Sequence, residues 1–371
     1  MSDRNRGDFI LIFSVAILVI FGIVMVFSAS YYTSLNTNGD AYYYLKREII
    51  WAILGTTGMV VTSRLSYKVY RKYALFVVAV ALVLLVLTLT PLGVSINEAK
   101  RWIGVGPITI MPGELAKPAV AMFVAKFLSD KPNIIQDFRK GVLPMYGLIV
   151  VFAGLIMKQP NMSTAVTLTC IILFIMIAAG MKWIHLALTG LVGVLGGVIL
   201  ILMEPYRLAR ATSFLNPFND PLGTGFQAVQ SLLALGSGGL FGVGLGKSIQ
   251  KTLYLPEPMN DFIFAIIGEE LGLIGCLAVL AVYMIFIWRG IHIAIHAKDL
   301  YGSLLATGLT AMVAVQVVFN IAVVSSSMPP TGVALPFISW GGNSLAILMA
   351  SAGILVNISK NQVRISEEVQ Q

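Results

Sequence analysis

The chain has 371 residues, of which 57% are hydrophobic and 11% charged, with a formal net charge of +8. Soluble domains carry about 25% charged residues, so this composition excludes a soluble protein and points to an integral membrane protein. The positive charge does not mark a nucleic-acid binder, because the basic residues are scattered over short segments between apolar runs.

Runs of about 20 apolar residues are long enough to cross a bilayer. Such runs predict spans over 9–28, 49–63, 74–90, 115–127, 142–157, 164–180, 184–203, 262–286, 302–324 and 335–358. The expectation is an all-α polytopic membrane protein of about ten helices, forming one membrane domain over 1–371. The first run is longer than a signal-peptide core and lacks a small-residue cleavage site, so it reads as a retained helix. The fourth is short and begins at Pro112-Gly113-Glu114, so part of it is expected at the membrane interface. Arg64, Lys68, Arg71, Lys72, Lys131, Arg139, Lys140, Lys182, Arg289, Lys298, Lys360 and Arg364 fall in alternate loops. That bias puts both termini in the cytoplasm. It leaves a large extracytoplasmic loop, about 204–261, between the seventh and eighth spans. Within it the Gly-rich stretch 237–246 reads as re-entrant or interfacial, since Gly permits tight turns and close backbone approach. Cys170 and Cys276 lie in apolar runs without metal-ligand spacing and read as free thiols.

Ionisable groups are costly near a membrane and are functional candidates by default. The segment from Tyr254 to Gly272 holds four acids: Glu257, Asp261, Glu269 and Glu270. Asp261 falls at the expected start of the eighth span, where a plain helix cap is the simplest reading. Glu269 and Glu270 lie deeper, and structural pairing is an alternative to a functional role. One of them is expected on the same helix side as Asp261. The second outer loop carries Lys100-Arg101-Trp102. Trp102 suits a membrane-surface anchor, and the Arg101 fork suits phosphate. Glu114 and Lys117, three apart on a helix, suit a mutual ion pair. Lys158-Gln-Pro-Asn161 reads as a turn. Pro336-Phe-Ile-Ser339-Trp340-Gly-Gly-Asn-Ser344 interrupts the last apolar run, as happens at hinges and at membrane binding sites.

Taken together, these pieces resemble the SEDS family (shape, elongation, division and sporulation) of bacterial membrane proteins. The resemblance covers nearly the whole chain. It rests on Lys100-Arg-Trp-Ile103, Pro112-Gly-Glu-Leu-Ala-Lys117, Asp220-Pro-Leu-Gly-Thr-Gly-Phe-Gln227, Gln230-Ser-Leu-Leu-Ala-Leu-Gly-Ser-Gly-Gly-Leu240, Tyr254-Leu-Pro-Glu257, Asp261-Phe-Ile-Phe264, Gly268-Glu-Glu-Leu-Gly272 and Leu335-Pro-Phe-Ile-Ser-Trp-Gly-Gly342. Phe27-Ser-Ala-Ser30 is similar to the division and sporulation branch more than to the elongation branch. The chain departs from the family at Met111-Pro-Gly-Glu114, at Asn161, where an acid is usual, and at Pro258-Met-Asn-Asp261.

The resemblance implies a peptidoglycan glycosyltransferase that polymerises lipid II at the outer face of the bacterial cytoplasmic membrane. It implies work with a class B penicillin-binding protein and with other division or elongation proteins. It maps the family's essential outer-loop carboxylate onto Asp261, and its charged positions onto Arg101, Glu114 and Lys117. An inverting transfer needs a base at the incoming hydroxyl, the role expected of Asp261. A diphosphate leaving group needs positive charge, expected from Arg101 and Lys117, with Arg207 and Arg210 in reserve, and Glu114 and Glu257 are expected among the substrate-binding residues. Glu269, Glu270 and Ser339 are expected in structural or tuning roles. A divalent cation, Mg or Mn, suits a diphosphate site, but no dedicated cage is visible in the sequence. A lipid II flippase and a non-enzymatic scaffold of the division complex are the competing readings.

Overall fold

The structure is a computed structural model that describes residues 7–96, 99–105, 108–203, 208, 214–252 and 254–361. Its helices are α1 (Phe9–Asn38), α2 (Tyr43–Arg64), α3 (Tyr67–Leu89), α4 (Pro112–Asp130), α5 (Leu143–Lys158), α6 (Met162–Ala178), α7 (Trp183–Leu202), α8 (Phe226–Gly238), α9 (Ile263–Ile295), α10 (Leu300–Val324) and α11 (Asn343–Ser359). Every span expected from the sequence overlaps one of these helices. Among the described residues, five stretches are long and apolar enough to cross a membrane: Phe9–Asn38, Tyr67–Leu89, Phe138–Lys158, Ile263–Ile295 and Leu300–Val324. Many large apolar side chains on these helices face outward, Phe76, Val150 and Met284 among them. A lipid environment explains that exposure; water does not.

Asp8 N donates to Ser359 Oγ at 2.9 Å, and Arg289 pairs with Asp8. Lys360 Nζ donates to the carbonyl of Ser63 at 3.0 Å. The two ends of the described chain therefore meet at one end of the bundle, together with the α2–α3 turn and the latter part of α9. Arg64, Arg289 and Lys360, three of the residues assigned to the cytoplasmic side by charge, gather there.

The centre of the bundle holds α4, α10 and the first part of α9. α4 starts with Pro112, where the missing N–H costs nothing, and carries Glu114 in its first turn, where the helix dipole favours an acid. Nearly all of its first fourteen residues are buried, and it packs on α3, α6 and α10. Its small Ala-rich surface, Ala116, Ala119, Ala121 and Ala125, allows that close packing.

Three details of the expected layout differ. The second outer loop is a small antiparallel sheet of order β1-β2-β3, with β1 (Gly93–Ile96), β2 (Ala99–Val105) and β3 (Ile108–Ile110). Val94 is opposite Trp102, and Ile103 opposite Ile110. The last helix starts at Asn343, not at 335. Pro336, Phe337 at φ 65° and Gly342 at φ 53° keep the preceding segment irregular. Finally, α9 is broken at Gly272 (φ 68°, ψ −166°).

The break explains the Gly-rich stretch. Carbonyls freed on the first part of α9, Glu269 O and Glu270 O, accept from Val243 N at 2.9 Å and Gly244 N at 3.0 Å. Amides freed on the second part, Leu273 N and Ile274 N, donate to Gly239 O at 2.9 Å and Leu240 O at 3.2 Å. The chain after α8 is thus spliced into the gap, and four backbone groups are paired. Only Gly fits at the crossing. A Cβ at Gly238 would lie 1.9 Å from Gly268 O, and one at Gly242 would lie 2.1 Å from Glu270 O.

Candidate active site

At the end of the bundle opposite the two ends of the described chain, three irregular segments converge on Asp261. Asp261 lies two residues before the start of α9, next to its N-cap Phe262, which makes no side-chain cap. The expected capping role is therefore corrected, because the carboxylate is not spent on the helix amides. Its Oδ2 lies against Gly332, where an added Cβ would approach to 3.1 Å. Gly332 itself is exposed, so the carboxylate sits at a mouth rather than in a sealed core.

Burial raises the Asp261 pKa from 3.8 to about 6. The neighbouring Glu257 pushes it the same way, and Arg101 opposes both. The electrostatics thus group three of the expected residues. Glu257 has φ 50° and accepts from the amide of Asn260. Arg101, on β2, donates to the carbonyls of Gln159 at 3.2 Å and of Pro160. The turn before α6 is shared by the whole site. Asn161 caps α6 by accepting from Thr164 N at 3.2 Å, Ser163 Oγ donates to Gly332 O at 3.2 Å, and Thr164 lies beside Gly113. Asn161 thus has a capping role that an amide fills as well as a carboxylate.

Glu114 and Lys117 form a buried ion pair at 2.7 Å, 8% and 3% exposed. Ser344 Oγ donates to the same Glu114 oxygen at 2.7 Å. This node joins α4 to the start of α11. The Lys117 charge is matched by Glu114, so of the two cations expected near a diphosphate, Arg101 is the one whose charge acts on Asp261.

Glu269 and Glu270 belong elsewhere. Glu270 is fully buried, pairs with Lys251 at 2.6 Å and accepts from Ser28 Oγ at 2.8 and 2.7 Å. Glu269 accepts from Ser248 Oγ at 2.5 Å and from Ile249 N at 2.9 Å. Both anchor the outer chain 248–251 to α9, the structural alternative weighed for them. The shared helix face with Asp261 has no functional counterpart, since their carboxylates are consumed by that anchoring. Ser339 Oγ donates to Asn260 O at 2.5 Å. Arg207 and Arg210 lie outside the described residues.

Among the described residues, no three His, Cys, Asp or Glu side chains come together as a metal site. A dedicated all-protein cage for a divalent cation is thus absent among the described residues. Cys170 and Cys276 are free.

Sequence reasoning overlooked Lys251, Ser28 and Ser163 as structural partners. Lys251 carried a signal: it is a cation in an apolar, Gly-rich stretch, and such a charge needs a partner. The serines carried none.

The model of the FtsW/RodA/SpoVE family, described as "Cell cycle protein", matches residues 9–364. The chain is 43% identical to Stage V sporulation protein E of Bacillus subtilis, over 97% of this chain and 98% of that one. It is 41% identical to a probable peptidoglycan glycosyltransferase FtsW of Trichlorobacter lovleyi, over 95% and 93%. Among solved structures it resembles a chain of a peptidoglycan synthase complex that coordinates polymerization and crosslinking. That match has TM-score 0.79 and 27% identity, covering 95% of this chain and 97% of the other. The rod shape determining protein RodA of Thermus thermophilus matches with TM-score 0.72 and 26% identity, covering 96% and 98%.

Proposed function

Because the chain belongs to the FtsW/RodA/SpoVE family of cell cycle proteins, we propose that it polymerises lipid II into glycan strands with Asp261 as the base. The protein is a multi-pass protein of the bacterial cytoplasmic membrane and a peptidoglycan glycosyltransferase of the division and sporulation kind. The observation that carries the assignment of Asp261 is its carboxylate at the mouth, beside Arg101, with a pKa raised to about 6. A base near the working pH combines the ionised state with useful basicity.

In the proposed step, Asp261 accepts the proton of the acceptor sugar's 4-hydroxyl. The hydroxyl oxygen bonds to the donor's anomeric carbon as the bond from that carbon to the diphosphate oxygen breaks. The configuration inverts, and undecaprenyl diphosphate leaves. Arg101 stabilises the negative charge developing on the diphosphate, and the Glu114–Lys117 pair holds the neighbouring wall. The lipid tails lie along the helices, and the mouth faces outside the membrane.

The protein forms one membrane domain over 1–371, with the outer loop 204–261 carrying the approach to Asp261. It works with a class B penicillin-binding protein that crosslinks the product. This is supported by the fold shared with a chain of a synthase complex. Polymerisation of purified lipid II by the full chain, with and without that partner, tests the reading. Glycan polymer from wild type and none from Asp261→Asn is the expected result. Wild-type polymer yield from Asp261→Asn removes the base, and lipid II crossing vesicles without polymer formation would make the protein a flippase.

A further inference from the structure

The backbone that carries Asp261 is held in an unusual way. Residues 259–261 precede α9, so their carbonyls are not used by its helical bonds, and Met259 and Phe262 are buried. Each of the three carbonyls accepts one hydrogen bond from a different donor. Met259 O accepts from Trp340 N at 2.9 Å. Asn260 O accepts from Ser339 Oγ at 2.5 Å. Asp261 O accepts from Asn320 Nδ2 at 2.7 Å. The same Asn320 nitrogen donates to Val333 O, also at 2.7 Å. Val333 follows Gly332, the residue against which the Asp261 carboxylate rests. One amide group on α10 therefore joins the backbone behind the carboxylate to the backbone in front of it.

Asn320 is completely buried, and among the described residues its Oδ1 has no hydrogen-bond partner. Leaving a buried acceptor unpaired costs about 1–3 kcal/mol. Leucine, of similar size, would avoid that cost but would leave the carbonyls of Asp261 and Val333 without this donor. The place of the side chain is therefore set by the two carbonyls it joins. Ser339, by contrast, is paired both ways: it accepts from Leu335 N at 2.8 Å while donating to Asn260 O.

We infer that Asn320 and Ser339 are positioning residues for the reaction, fixing the Asp261 carboxylate against Gly332 through the carbonyls of Asn260, Asp261 and Val333. The inference rests on the reading of Asp261 as the base. Neither side chain touches the substrate, so each acts on the rate of the chemical step and not on lipid II binding. A reacting group misplaced by about 1 Å loses roughly 100-fold in rate.

The test measures kcat and KM for lipid II with the full chain and its partner, for Asn320→Leu and Ser339→Ala. A melting temperature is taken first, and if Asn320→Leu does not fold, Ser339→Ala decides alone. The expected result is a fall in kcat of about 10- to 100-fold with KM within about twofold of wild type. In an Asp261→Asn background, neither substitution lowers the residual rate further. Folded variants with wild-type kcat, a rise in KM matching the fall in kcat, or a full further loss in the Asp261→Asn background would each overturn the inference. These outcomes separate from failure of the underlying reading, which shows as wild-type activity in Asp261→Asn alone.

Discussion

Replacing Asp261 by Asn is expected to move stability and activity in opposite directions. The folded protein holds the Asp261 carboxyl at about 6, against 3.8 in the unfolded chain, with burial first and Glu257 second as causes. A raised pKa means that the folded state favours the protonated acid. The group is neutral in both states below pH 3.8. Between 3.8 and 6 the unfolded chain ionises first, and above 6 the folded protein also bears the buried charge. A rise of about 2 on the pH scale, at 1.36 kcal/mol for each, is a cost of roughly 3 kcal/mol above pH 6. Asparagine has nearly the same shape and never ionises, so it removes that cost. Thermal unfolding of the variant in detergent at pH 7.5 should show a melting temperature a few degrees above wild type. At about pH 4 most of the difference should be gone, and below about pH 3 all of it. Polymerisation should fall by about 10²–10⁴-fold, the usual contribution of a general base. In wild type the rate should rise through pH 6 as the base ionises. A variant that melts below wild type at pH 7.5 would show that the carboxylate is a structural contact, and the electrostatic argument would fail.

Other outcomes follow from the same geometry. Lys251→Met leaves Glu270 buried without its cation and should cost about 3–5 kcal/mol, while Lys251→Met with Glu270→Leu should recover most of it; equal melting temperatures for the single and double variants would refute this. Glu114→Gln should destabilise by a similar amount through the stranded Lys117 charge, read by thermal unfolding. Gly272→Ala puts a Cβ 2.4 Å from Gly242 N at φ 68°, and it should open the splice, seen as faster amide exchange at Val243, Gly244, Leu273 and Ile274. Gly332→Ala, at φ 71° and 3.1 Å from Asp261 Oδ2, should lower the polymerisation rate with little change in lipid II affinity; an unchanged rate would place the reacting atoms elsewhere.

Much of this was legible in the order of residues. Apolar runs and loop charges are local quantities, and a bilayer converts them directly into spans and orientation. That is why the helices fall where the runs do, and why Arg64, Arg289 and Lys360 gather with both ends of the described chain at one end of the bundle. Asp261 stood out for the same reason, as a charge in an apolar setting. The partners of charges are another matter. Glu270 finds Lys251 and Ser28, 19 and 242 residues away in the chain, and no local pattern encodes such distances. The backbone of 239–244 pairs with a helix broken by Gly272. A Gly in an apolar run marks that break only once the second strand of chain is known to fill it. Asn320 is one of several polar residues in a 25-residue helix, and what it does depends on which two carbonyls tertiary packing brings to it. The sequence by itself determined how the chain meets the membrane, because that depends on hydrophobicity along the chain. Only the tertiary structure decided which carboxylate is consumed by anchoring and which is left at the mouth, because that depends on what lies across the bundle.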